Sequence, residues 1–156
     1  MPRTLMITAG LWLCATTVHS DEKPAQREPV NQYKALIDQF EEDGEARESA
    51  GLFIALAEQH SKSPVAVDAL VWVVTNVRRG KDLDRATRLL ARNHPQNEKL
   101  EPICQKLSYR LSLASEGLLR ALRDKSPHRV VRAQASFYLA GYLQGQLGLI
   151  AVLKKE

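Results

Sequence analysis

Pro64, Pro95 and Pro127 lie 31 and 32 residues apart, each between two stretches whose apolar residues recur at helical spacing. Two of these turns read alike, Lys62-Ser63-Pro64 and Lys125-Ser126-Pro127, and the middle one reads Asn93-His94-Pro95. A period in the low thirties is the length of one helix-turn-helix unit, which cannot bury its apolar faces alone and must stack on a neighbour. The expected fold is all-α, a short array of about three stacked helical hairpins of the HEAT/TPR-like α-solenoid kind.

The N-terminus speaks to location. Met1-Pro2-Arg3 is a short positive region, Leu5 to Val18 is largely apolar, and Val18-His19-Ser20 offers a cleavage site before Asp21. The apolar run is shorter than the roughly 20 residues that span a bilayer, which favours a cleaved signal peptide over an anchor. Leu13 before Cys14 disfavours lipidation, and cleavage would leave Cys104 alone in the mature chain. A single cysteine gives no disulfide framework, so stability must come from packing. The expected organisation is a signal peptide over 1–20, a polar linker over 21–29, a helical repeat domain over 30–146 and an apolar, basic tail over 147–156. The expected location is outside the cytoplasm, periplasmic or extracellular, with no stable membrane span after cleavage.

Within the repeat domain, Tyr33, Leu36, Ile37 and Phe40 share one helix face, and Gly44 interrupts. Leu52, Phe53, Leu56 and Ala57 mark a second helix. Ser63 can cap the third with Pro64 at its first position, where a missing N–H costs nothing. The run through Val67, Leu70, Val71, Val74 and Val77 is apolar on nearly all sides, so this helix should be the most buried, with Trp72 or Val74 among the most enclosed side chains. It is expected to stop at Gly80. Asp82 is the next cap candidate, ahead of Leu83, Ala86, Leu89 and Leu90. Pro102 implies a kink or a fresh start near Glu101 in the stripe of Leu100, Ile103, Cys104 and Leu107. Ser112 or Ser115 can cap the helix bearing Leu118, Leu119 and Leu122. In the last helix, Gly141, Gly145 and Gly148 are expected to loosen the C-terminal segment.

The last turn, Ser126-Pro127-His128-Arg129-Val130-Val131-Arg132-Ala133-Gln134-Ala135, is similar to the second helix of HEAT-type repeats. The segment from Tyr33 to Gln144 resembles the helical region ahead of a thioredoxin-like or redoxin domain in certain secreted bacterial proteins. That likeness is carried by the run from Val65 to Val74, by Asn97 to Gln105 and by Pro127-His128-Arg129. Such proteins owe their redox activity to a following Cys-x-x-Cys domain, and this sequence contains no Cys-x-x-Cys pair. The resemblance therefore implies a helical module without residue roles, or an accessory or shortened relative whose redox half lies elsewhere.

Candidate chemistry is sparse. His60, His94 and His128 sit near the three turns, but zinc holds nitrogens at about 2 Å whereas stacked helices lie about 8–10 Å apart, so they read as turn and cap residues. Cys104 falls on an apolar stripe and reads as a buried structural thiol. Trp72, Phe137, Tyr138 and Tyr142 read as core or packing-edge aromatics. No catalytic, metal or cofactor set assembles, and the expected protein is not an enzyme.

Charge is more informative. Asp21 to His60 holds ten acids and four bases, a net of −6, whereas Ser61 to Glu156 holds seventeen bases and eight acids, a net of +9. Arg85, Arg88 and Arg92 share a helix face, while Arg120, Arg123, Arg129 and Arg132 flank the third turn. Solvated faces are the plain reading of these seven arginines, and a basic surface for a protein partner or acidic polymer is the functional one. The export signal and the lack of any nucleic-acid motif argue against nucleic acid.

Overall fold

The computed structural model describes residues 24–154, and among them the fold is all-helical, with no strand. The signal segment and the cut before Asp21 lie outside the described residues. Seven α-helices occur in order: α1 over Pro24–Asp43, α2 over Ala46–Gln59, α3 over Pro64–Asn76, α4 over Lys81–Asn93, α5 over Ile103–Ser108, α6 over Leu113–Lys125 and α7 over Arg129–Leu153. A 3-10 turn at Glu98–Leu100 precedes α5.

Local chemistry explains most of these boundaries. Gly44 ends α1 with a φ of 72°, a left-handed conformation that glycine adopts without a Cβ penalty. Ser63 caps α3 by accepting a hydrogen bond from the Val65 amide at 3.4 Å, with Pro64 opening the helix. Ser112 caps α6 and accepts from the Ser115 amide at 3.2 Å. The two Lys-Ser-Pro turns are used differently. Ser126 closes α6, its amide donating to the Leu122 carbonyl, and α7 begins only at Arg129.

Four expectations are corrected. The polar linker is not a linker throughout, because α1 begins at Pro24 and carries a buried Pro29 within it. Helix α3 ends at Asn76, so Arg78 and Arg79 fall in the connection to α4. The residue at the cap position of α4 is Gly80, with a φ of 124°, and Asp82 lies in the first turn, where its charge still suits the positive helix end. Finally, Gly141, Gly145 and Gly148, expected to loosen the C-terminal segment, lie within α7, and the expected tail is the last part of that helix, through Leu153.

Helix α2 packs on α3, α3 on α4, and α6 on α7. Across these pairs α4 lies against both α2 and α6, while α5 lies against α3 and α7. Helix α3 sits at the centre of this packing, burying Val65, Ala66, Val67, Ala69, Leu70, Trp72, Val73 and Val74. Trp72 stacks on Phe53 of α2 with ring centroids 3.8 Å apart, and Phe40 of α1 meets it edge-on at 4.9 Å. One core cluster runs from Ala50 to Tyr142, so the helices form a single packed body.

Candidate functional site

Helices α4 and α6 pack side by side, and their outer surfaces leave a groove of about 380 Å³. Its floor is small and apolar because Ala91 on α4 and Ala114, Gly117 and Ala121 on α6 line it. The spacing Ala114, Gly117, Ala121 is i, i+3, i+7, which keeps one stripe of α6 free of bulk. Gly117 opens the floor furthest, and a Cβ there would meet nothing within 4 Å. Arg88 and Arg92, one turn apart on α4, stand on the groove with Lys125 from the end of α6. Leu113, 84% exposed, closes one end with an apolar side chain.

Unlike Arg85, Arg120 and Arg123, these three cations have no carboxylate partner among the described residues. Arg85 reaches away to α2, where its Nε and Nη2 donate to both carboxylate oxygens of Glu58 at 3.0 and 2.8 Å. Arg120 pairs with Glu116 one turn back, and Arg123 with its neighbour Asp124. Arg132 donates to the carbonyls of Ser126 and Pro127, both at 2.9 Å, which satisfies backbone acceptors at the α6–α7 turn. Arg129 is exposed at the start of α7. Of the seven arginines named by the sequence, Arg85, Arg120 and Arg123 are paired with carboxylates and Arg132 with backbone carbonyls. Arg88 and Arg92 line the groove together, and Lys125, which the sequence did not single out, joins them.

An exposed charge without a partner keeps its hydration until a ligand of opposite sign arrives, so it can contribute to binding without first breaking an internal pair. Arginine adds a planar fork of donors suited to carboxylate, phosphate or sulfate oxygens, and lysine adds a mobile point charge. The groove combines an apolar floor with three exposed cations. It presents no nucleophile and no acid–base pair among its lining residues.

The remaining candidates lie elsewhere. Cys104 is fully buried, its thiol donating to the Leu100 carbonyl at 3.4 Å, and burial, with Glu101 adding to it, pushes its pKa up to about 12. His60 and His94 stand at the C-terminal caps of α2 and α4, and His128 at the start of α7. Among the described residues no cluster of three or more His, Cys, Asp or Glu side chains could hold a metal ion. Trp72 and Tyr142 are core residues and Tyr138 is half-buried, but Phe137 is 72% exposed and belongs to the surface, which corrects its placement as a packing aromatic. The Tyr142 hydroxyl donates to the Ser112 carbonyl at 3.0 Å and so ties α7 to the start of α6.

No protein family, no curated protein and no solved structure matches the chain.

Proposed function

We propose that this chain is an exported, non-catalytic helical-repeat protein whose groove between α4 and α6 binds an acidic segment of a protein partner or an acidic polymer. The observation that carries the reading is the trio Arg88, Arg92 and Lys125, three cations without carboxylate partners among the described residues, above a floor of small apolar residues. The packing of α4 on both α2 and α6, and of α5 on both α3 and α7, supports a HEAT/TPR-like stack of three hairpins. Arrays of this kind bind through extended surfaces between neighbouring units, and here the groove lies between two units. Export rests on the apolar segment Leu5–Val18 and the site before Asp21, and it argues for a protein or polysaccharide-like polyanion over nucleic acid.

Under the resemblance to helical regions ahead of thioredoxin-like domains, the chain would serve as the helical accessory of an oxidoreductase. The redox chemistry would then belong to another chain, because Cys104 is enclosed and its thiol is held protonated.

Titration of the purified protein with fluorescently labelled polyglutamate, followed by anisotropy at several salt concentrations, tests the groove. Binding that weakens as salt rises is expected, with the double variant Arg88→Ala, Arg92→Ala about tenfold weaker or more. Arg123→Ala and Arg129→Ala together should bind nearly as the parent does. Equal loss in both variants, or none in the first, would overturn the assignment.

A further inference from the structure

Helix α7 is unlike the other helices in what it leaves uncovered. Its inner face, Val131, Ala135, Leu139 and Tyr142, is buried in the fold. From Ala133 to Leu153 it carries no charged residue at all, about 31 Å of helix at 1.5 Å per residue. The outward face of such an edge helix ordinarily carries charge, whereas here it presents Val130, Ala133, Phe137, Ala140, Gly141 and one uncharged polar residue, Gln144, all exposed. Over its last two turns the helix is apolar on every side, and Leu147, Leu149, Ile150, Val152 and Leu153 are each between 48% and 67% exposed. A groove of about 520 Å³ continues this surface between α7 and the loop after α5, lined by Tyr109, Leu111, Phe137 and Tyr138. An exposed surface this poor in charge and rich in large apolar side chains marks an interaction site.

We propose that the free face and end of α7 seat on an anionic lipid bilayer, as a docking surface separate from the basic groove. Charge selects this occupant. Helix α7 contains no acid: Arg129 and Arg132 lie at its start, and Lys154, Lys155 and Glu156 come after it in sequence, two bases to one acid. Two copies paired through α7 would bring cation against cation at both ends, in parallel or antiparallel orientation. An anionic headgroup layer complements both ends while the acyl region takes the apolar face between them. The apolar-all-round tip points the same way, since a flat protein partner covers one side of a helix and lipid surrounds it. Tyr109, Phe137 and Tyr138 supply the aromatic rings favoured at the membrane–water boundary. Although α7 is long and apolar enough to cross a membrane, its first fourteen residues bury Val131, Ala135, Leu139 and Tyr142 in the fold. The helix therefore lies at the interface, with Lys154 reaching the headgroups.

Flotation of the full-length protein with vesicles of phosphatidylcholine and phosphatidylglycerol, against vesicles of phosphatidylcholine alone, tests this surface. The parent protein should float with the anionic vesicles and at least tenfold more weakly with the neutral ones. The double variant Leu149→Asp, Ile150→Asp should lose at least tenfold in vesicle binding, and Arg129→Glu with Lys154→Glu should lose binding to the anionic vesicles. All four side chains are exposed, so circular dichroism should show helix content unchanged. Flotation of Leu149→Asp, Ile150→Asp equal to the parent would overturn the proposal. So would a dimer by light scattering that these substitutions dissolve while the parent ignores both kinds of vesicle.

Discussion

Cys104 and His94 show how burial changes a titrating side chain in this fold. The Cys104 thiol, raised to about 12, is ionised in only about one molecule in ten thousand at pH 8. A water-soluble thiol reagent should label native protein slowly and denatured protein at once, and fast native labelling would show that the α5 stripe is open. His94, at the end of α4, has its pKa lowered below 6.5 by desolvation, so the folded state takes up a proton less readily than the unfolded one. Its contribution to stability is whole above pH 6.5 and declines as pH falls below that value. Thermal unfolding at pH 7.5 and 5.5 should show a loss on acidification, and His94→Gln should lose less. Burial of single residues was legible where a stripe was strict, as for Cys104 between Leu100 and Leu107. Phe137 was misplaced because sequence spacing does not say which face of an edge helix has a neighbour.

At the scale of the element, the helices divide into those fixed by packing and those tuned by local chemistry. Helix α3 belongs to the first kind. Trp72→Ala removes a ring stacked between α1 and α2 and should cost about 3–5 kcal/mol, while Arg88→Ala on the exposed face of α4 should change stability by less than about 0.5 kcal/mol. Chemical denaturation of the two variants checks the contrast, and equal effects would remove α3 from the centre of the core. Helix α6, packed on α4 and α7, shows local tuning at one position. Gly117 lies mid-helix, where glycine is worse than alanine by roughly 1 kcal/mol, and an added Cβ meets no atom within 4 Å. Gly117→Ala should therefore stabilise the fold by about 0.5–1 kcal/mol. Starts marked by a hydroxyl cap, such as Ser63 and Ser112, were legible because one side chain and one amide decide them. The end of α7 was not, since its glycines meet no competing turn and the helix simply continues.

Across the whole molecule, charge and packing organise each other. Helix α2 lies against the basic α4, and two exposed ion pairs, Arg85 with Glu58 and Lys99 with Asp68, join residues 27 and 31 positions apart. Exposed pairs like these contribute little stability, on the order of 0–1 kcal/mol each, but they decide which cations remain available. That selection was hidden from the sequence, where Arg85, Arg88 and Arg92 share one face. Glu58 belongs to another helix and claims only the first of the three. The groove was hidden for the same reason: Ala91 and Gly117 line one groove only once α4 and α6 are packed side by side. Hydrogen exchange of the protein with and without saturating polyglutamate tests the central claim most directly. Slowed exchange confined to the segments around 88–92 and 113–125 is the expected result, and protection found instead in α1, α2 or α7 would contradict a binding groove between α4 and α6.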